Sequence, residues 1–100
     1  MIALSLEAEA QVDALIKYYE DRGRLRASIN LLAALKKAGQ RISAAPNAGV
    51  TAPRPYPNLN KAGRLWIIEG SYWIAYSFTS PPVISGVFYV TADIPRRVSK

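Results

Sequence analysis

The sequence predicts a single α+β domain in which a helical hairpin precedes an antiparallel sheet. Residues 5–45 are rich in alanine and leucine, and their apolar side chains recur at helical spacing. Residues 64–78 instead alternate between two sets of side chains, which is the period of a sheet with two different faces. Because the helical segments come first and the strands follow, this order favours an α+β fold over an alternating α/β fold.

Length and composition allow one folded domain with a modest core. The chain has 100 residues, and half of them are hydrophobic, which is too many for a disordered chain. It has no cysteine and no histidine, so disulfides, thiolate chemistry and the usual general base near neutral pH are excluded. No apolar run approaches the ~18 residues of a membrane span, and the N-terminus lacks a signal peptide's basic region. We therefore expect a cytoplasmic protein with no membrane contact.

The first two predicted elements are a short strand and a helix. Residues 2–4 are apolar and are expected to join the sheet as an extra strand. Ser5 is a good N-cap for the helix that follows, and Glu7 and Glu9 suit the positive end of its dipole. This helix should end near Gly23, which can adopt the left-handed conformation of a helix C-terminus. Its apolar stripe consists of Ala8, Val12, Leu15, Ile16 and Tyr19.

The second helix is predicted over residues 25–44 and ends before Pro46. A link of about two residues makes the two helices an antiparallel αα-hairpin. Gly39 should weaken the second helix by roughly 1 kcal/mol relative to alanine. Because the apolar arc is wide, we expect this helix to pack against the first helix and the sheet together. The arc has two stripes, the first formed by Leu25, Ile29, Leu32 and Ala33 and the second by Leu31, Leu35, Ala38 and Ile42.

A loop and three strands complete the predicted fold. Residues 46–62 contain four prolines and are expected to form a loop, with at most a turn of helix near residues 58–61. This loop is either a spacer, which we favour, or a partner-contacting segment. The strands are predicted over residues 64–68, 72–78 and 83–90, with turns at residues 69–71 and 79–82. Residues 91–100 are then a polar, basic tail.

Charge is distributed unevenly along the chain. The net charge is +6, five of the seven acids lie in the first 21 residues, and residues 22–68 contain no acid. This pattern is typical either of a solvated basic surface or of a protein with an acidic partner. A nucleic acid, a nucleoprotein machine and an acidic polypeptide all satisfy the second reading, and charge alone does not choose among them.

The chain carries none of the common catalytic motifs. It has no glycine-rich nucleotide-binding loop, and without histidine or cysteine it has no paired metal-ligand spacing. A serine–lysine pair stays possible, although no residue pattern points to one. Whether the protein is an enzyme therefore stays open. The residues favour a binding domain, and we expect no catalytic residue, no metal and no cofactor.

Four segments together resemble the RelE/ParE superfamily of toxins from type II toxin–antitoxin pairs. Residues 4–10 are similar to the family's opening L-S-P-E-A-E, and residues 16–23 to the I-x-Y-Y-x-x-x-G that closes its first helix. Residues 45–49 resemble the proline–glycine motif that follows the second helix, and residues 64–76 resemble R-x-L-x-x-G-x-Y-R-I-x-Y. The likeness spans nearly the whole chain, and it implies the same order of strand, αα-hairpin and three-stranded antiparallel sheet.

Departures from the family pattern place the chain closer to ParE than to RelE. RelE-type members are ribosome-dependent mRNA nucleases that use Lys, Arg and Tyr, or Glu and His, on the sheet. Here only Arg64 matches a basic sheet position, while Trp66 and Ile68 occupy the neighbouring ones, and Trp73 replaces the usual arginine. The resemblance therefore implies a ParE-like inhibitor that binds DNA gyrase, with possible indirect contact to DNA. We expect the target to be bound by Arg64, Trp66, Trp73, Arg96 and Arg97.

The resemblance also implies a cognate, ParD-like antitoxin and a hetero-oligomer formed with it. An acidic antitoxin tail should fold on contact with the αα-hairpin and meet Arg22, Arg24, Lys36, Lys37 and Arg41. Two other functions stay open, namely a RelE-like ribosome-dependent mRNA endonuclease and a non-toxic family member that only binds its antitoxin.

Two structural alternatives affect the predicted target site. Trp66 and Trp73 either pack within the sheet or lie exposed on the face opposite the helices. The tail is either a frayed end or part of the target-binding surface.

Overall fold

The α+β prediction is confirmed by a computed structural model, which describes residues 2–53 and 56–91. The elements are β1 (Ala3–Leu4), α1 (Leu6–Asp21), α2 (Leu25–Ala44), a 3₁₀ turn (Pro57–Leu59), β2 (Arg64–Glu69), β3 (Tyr72–Ser77) and β4 (Val83–Tyr89). The four strands belong to one sheet in the order β1-β4-β3-β2. The short β1 runs parallel to β4, as an extra strand, and the other neighbours are antiparallel.

Local sequence signals set the boundaries of the helical hairpin. The Ser5 hydroxyl accepts a hydrogen bond from the Ala8 amide at 3.1 Å, which satisfies one of the free amides of the first turn of α1. Gly23 follows α1 with φ of 65°, a left-handed conformation that strains other residues. The chain can then reverse within three residues and begin α2 at Leu25.

The main core lies between the helices and one face of the sheet. Residues from α1, α2 and alternating positions of β2, β3 and β4 form one buried cluster. Two of its largest side chains, Tyr76 and Ile74, stand on β3, at the centre of the three long strands. The cluster comprises Ala8, Val12, Tyr19, Leu31, Ala34, Ala38, Ile42, Ile67, Tyr72, Ile74, Tyr76, Ile84 and Val87.

Only one of the two predicted stripes of α2 belongs to this core. Leu31, Ala38 and Ile42 of the second stripe are buried. The helix packs against α1 and the sheet together, as predicted. The first stripe points to solvent instead, with Leu25, Ile29 and Leu32 each more than half exposed, so the wide apolar arc is only partly buried. The reason is geometric: α1 and the sheet both lie on the same side of α2, and nothing in the described chain covers the opposite side.

The proline-rich loop packs against the sheet, a structural role that neither the spacer nor the partner-contacting interpretation included. Val50 pairs with Trp66 through hydrogen bonds in both directions, at 2.8 and 2.7 Å between amide nitrogen and carbonyl oxygen. Pro53 is fully buried, and Tyr56 and Leu59 pack against the sheet cluster around Trp66. Thus the loop covers one edge of the face that the helices leave free.

Neither α1 nor α2 is long and apolar enough to cross a membrane.

Candidate functional site

The sheet has a second face, which points away from the helices. Side chains alternate between the two faces along each strand, and the register places Trp66 of β2 beside Ala75 of β3 and Gly86 of β4. We call this surface the open face. It carries Arg64, Trp66, Ile68, Trp73, Ala75, Ser77, Gly86 and Phe88. Both tryptophans predicted to bind a target therefore lie on the side opposite the helical hairpin.

Trp66 forms the floor of the open face and is not accessible. Its side chain is 0% exposed, which favours the packing alternative for this residue over direct contact with a partner. The Phe88 ring lies beside it, with 5.9 Å between ring centroids. Gly86 makes this possible, because a Cβ there would lie 2.7 Å from the Phe88 ring. The burial of Trp66 needs the loop and a distant strand, which the pattern of residues 64–68 alone does not reveal.

Trp73 is the accessible aromatic residue of the open face. It is half-buried and stands between Ile68 of β2 and Phe88 of β4 in the strand register. Ile68 is 46% exposed, so the two side chains together leave apolar surface in contact with solvent. Exposed apolar surface of this kind is typical of a contact region for another macromolecule.

Arg64 lies over Trp66 at the start of β2. Its guanidinium carbon lies 5.2 Å from the centroid of the Trp66 ring, and its Nη2 donates a hydrogen bond to the Leu59 carbonyl oxygen. Burial lowers the pKa of the Arg64 guanidinium below its usual value. The Nε of Arg64 and the Nε1 of Trp66 are both buried and have no hydrogen-bond partner among the described residues. Unpaired buried donors are costly, so this corner of the sheet favours an acceptor group.

A cleft of about 430 Å³ lies above this pair. Besides Arg64 and Trp66, it is lined by two charged residues that the sequence reasoning missed, Lys61 and Glu7. Lys61 immediately precedes β2, and its carbonyl oxygen accepts a hydrogen bond from the Arg64 amide at 3.1 Å. The closeness of Lys61 to Arg64 could therefore have been predicted from their separation of three residues in the sequence. Glu7 reaches the cleft only because α1 packs along β4, where the Val87 amide donates a hydrogen bond to Gln11 Oε1 at 2.8 Å.

The basic residues predicted to meet an antitoxin do not form one patch. Arg22 lies against the Tyr18 ring, with its guanidinium carbon 3.7 Å from the ring centroid, and Arg24 lies over Tyr19 at 5.4 Å. Lys36 continues the exposed stripe of α2, at i+4 from Leu32. The cations of the hairpin thus face more than one direction.

Arg41 and Lys37 lie closer to the sheet. Arg41 Nη1 donates to the Glu69 carboxylate at 2.8 Å and to the Ile68 carbonyl oxygen at 2.7 Å. This ion pair ties α2 to the end of β2 and leaves less of the Arg41 charge available to a partner. Lys37 lines a separate cleft beside the turn between β2 and β3. Arg96 and Arg97, the predicted target-binding residues of the tail, lie outside the described residues.

Across residues 2–53 and 56–91, no three His, Cys, Asp or Glu side chains come together in a way that could hold a metal ion.

The chain was also compared with known proteins. No protein-family model matches it, and the search of curated proteins found no significant similarity.

Proposed function

We propose that this protein is a ParE-like toxin of a type II toxin–antitoxin pair, which inhibits DNA gyrase by binding and is neutralised by an acidic antitoxin. The proposal begins from the sequence resemblance described above. The confirmed arrangement of β1, the αα-hairpin and the three antiparallel strands is compatible with it.

The observation that carries the proposal is the composition of the open face. Trp73 and Ile68 present apolar surface to solvent, and Arg64 and Lys61 provide positive charge at one end of the same face. Tryptophan and arginine are the residues most often found at the energetic centres of protein interfaces. A nucleoprotein target such as a gyrase–DNA complex would offer both apolar and anionic surface to this combination.

Binding is favoured over catalysis because of the residues available. The sequence contains no histidine, so no side chain titrates near neutral pH as an unperturbed general base. The Arg64 guanidinium already donates a hydrogen bond to the Leu59 carbonyl oxygen and lies over the Trp66 ring. Stabilising the charge of a phosphoryl transition state requires several donors already aimed at it.

The direct test is a supercoiling assay with purified gyrase. Wild-type protein is expected to inhibit supercoiling, and Trp73→Ala should raise the concentration needed for half-inhibition by about tenfold or more. Phe78→Ala is the matched control, because Phe78 is also an exposed aromatic residue but follows β3 outside the open face. Unchanged supercoiling at stoichiometric wild-type protein would contradict the proposal.

One observation favours the RelE-like endonuclease as a second candidate. The open-face cleft brings Lys61, Arg64 and Glu7 together, and it is large enough for a nucleotide-sized group. In a translation extract, this candidate predicts new mRNA cleavage that disappears in Arg64→Ala and persists in Arg26→Ala, which removes an exposed arginine of α2. Cleavage that survives Arg64→Ala would exclude this cleft as its source.

The exposed stripe of α2 supports the proposed antitoxin. Leu25, Ile29 and Leu32 form a continuous apolar strip, and Lys36 extends it with a positive charge. An amphipathic acidic helix can cover such a strip and bury its apolar side chains. We expect the gene next to this one to encode that antitoxin, with a DNA-binding N-terminal half. Failure of its product to bind the purified protein would contradict this part of the proposal.

A further inference from the structure

A second cleft lies at the opposite end of the helical hairpin, beside the turn between β2 and β3. Its volume is about 310 Å³, and we call it the tyrosine cleft. The side chains that matter for its chemistry are Tyr19, Arg24, Lys37 and Tyr72. None of them belongs to the open face.

The hydroxyl groups of the two tyrosines share one hydrogen bond, which leaves one hydroxyl proton free to be donated elsewhere. Their hydroxyl oxygens lie 2.5 Å apart, and the residues are only 4% and 3% exposed. The pair holds two hydroxyl protons, and a single hydrogen bond uses one of them, so the second proton can be donated to another group. Burial and the neighbouring Tyr19 hydroxyl raise the pKa of Tyr72, which keeps the phenol protonated.

The charges around the tyrosine cleft are not balanced. Arg24 and Lys37 line it, and among the described residues Glu69 is the only acid in its lining. The Glu69 carboxylate is already bonded to Arg41 at 2.8 Å. Two cations and a spare hydroxyl donor therefore face the cleft, a combination that favours a carboxylate or another anion.

An apolar groove continues from the tyrosine cleft along α1 and β4. Its volume is about 750 Å³, and Tyr19, Arg24 and Tyr89 line both spaces. Leu15, Tyr18 and Val87 supply much of the groove's surface, and none of the described residues that line it is an acid. A ligand that fills both spaces must combine an anionic group with an apolar one.

We infer that the tyrosine cleft and the adjoining groove bind an acidic peptide, with a carboxylate side chain in the cleft and a neighbouring apolar side chain in the groove. The apolar groove favours a peptide over a nucleic acid, which has no aliphatic side chains. Residues 92–100 of the chain are disfavoured as occupants, because they contain Arg96, Arg97 and Lys100 against a single acid. The assignment of this peptide to an antitoxin rests on the proposed function. The binding chemistry itself follows only from the residues that line the cleft and the groove.

The test uses a short acetylated peptide that alternates leucine and glutamate, titrated into the full-length protein and followed by NMR. The backbone amides of Gly70, Ser71 and Tyr72 should shift with one saturation curve. Lys37→Ala should weaken binding about tenfold, because it removes a charged hydrogen-bond donor. Lys17→Ala is the matched control, since it removes the same charge from an exposed lysine of α1 that lies outside the lining of both the cleft and the groove.

A second variant tests the hydroxyl donor without removing a charge. Replacing Tyr19 and Tyr72 together by phenylalanine keeps both rings and removes the buried polar pair, so the protein should stay folded. Peptide binding should still fall severalfold. Equal binding of a peptide with glutamine in place of glutamate, or equal weakening by Lys17→Ala and Lys37→Ala, would overturn the inference.

The outcome separates this inference from the proposed function. If the peptide binds as described and the protein proves harmless to gyrase and to growth, the cleft stands and the toxin proposal fails. If the neighbouring gene product neutralises the protein and binds Lys37→Ala as tightly as wild type, the toxin proposal stands and the cleft inference fails.

Discussion

At the scale of single residues, Tyr76 does more than fill the core. Its ring is completely buried under the helices, and its hydroxyl donates to the Pro46 carbonyl oxygen at 2.6 Å. The Tyr76 hydroxyl oxygen in turn accepts a hydrogen bond from the Gly49 amide at 3.1 Å. One side chain of β3 therefore fixes the segment that follows α2, and with it the beginning of the loop that covers the open face.

Removing this hydroxyl should destabilise the protein while leaving its core filled. Tyr76→Phe is expected to lower the free energy of unfolding by about 1–2 kcal/mol, because it leaves two partly buried backbone groups without their hydrogen-bond partner. Urea denaturation followed by circular dichroism measures this change. Tyr18→Phe is the control, since Tyr18 is exposed and should change stability by less than ~0.5 kcal/mol. Equal effects of both substitutions would contradict the assigned role.

The raised pKa of Tyr72 predicts a loss of stability at alkaline pH. In the unfolded chain a tyrosine ionises near pH 10, whereas burial holds the folded phenol protonated to higher pH. The unfolded state therefore releases its proton first, and stability falls as pH rises above about 10. Denaturation midpoints between pH 8 and 11 should decline for wild type and decline less for Tyr72→Phe, where this ionisation is absent. Identical slopes would contradict the prediction.

At the scale of elements, Gly39 is where α2 meets Ile2, the residue just before β1. The sequence suggested a simple weak point in the helix, but Gly39 is buried, and a Cβ there would lie 2.7 Å from Cγ2 of Ile2. The glycine thus allows the segment leading into β1 to pack closely against the helix.

Gly39→Ala should therefore not stabilise the protein as a glycine-to-alanine change inside a helix usually does. Alanine normally gains about 1 kcal/mol over glycine in a helix interior, but the clash with Ile2 should cancel or reverse this gain. Ser43→Ala, at an exposed position near the end of α2, should instead add up to about 0.5 kcal/mol. Urea denaturation compares the two. A gain of the full ~1 kcal/mol for Gly39→Ala would show that Ile2 moves aside at no cost.

The elements themselves were predictable, because each one is encoded locally. Ser5, Gly23 and the helical spacing between them fix α1, and two-residue alternation fixes β3. Burial of Trp66 was not predictable in this way, since its cover comes from Leu59, Phe88 and the Arg64 side chain.

The exposed stripe of α2 escaped prediction for a related reason. Its leucines and isoleucine have the same spacing as core residues, and only the position of α1 and the sheet decides which stripe is buried. The tyrosine cleft likewise joins residues from α1, α2 and β3, which periodicity within one element cannot bring together.

At the scale of the whole molecule, charge should govern association with partners. The net charge is +6, and residues 22–68 contribute no acid. An acidic partner should therefore bind more weakly as salt screens this attraction.

Binding of the neighbouring gene product should depend on ionic strength. Its dissociation constant should rise clearly between 50 and 500 mM salt, since screening of exposed charges grows over roughly this range. The slope should be shallower for a Lys36→Ala/Lys37→Ala variant, which lacks two of the predicted contact cations. Isothermal titration calorimetry gives both slopes. A dissociation constant that does not change with salt concentration would contradict the electrostatic part of the proposal.

The most direct test of the central claim is induced expression in growing bacteria, with DNA synthesis and protein synthesis followed separately by labelled thymidine and labelled methionine. A ParE-like gyrase inhibitor should arrest growth and stop thymidine incorporation first, while methionine incorporation continues. Trp73→Ala should relieve the arrest, and co-expression of the neighbouring gene should abolish it. An immediate stop in methionine incorporation, or normal growth at full expression of a folded protein, would contradict the claim.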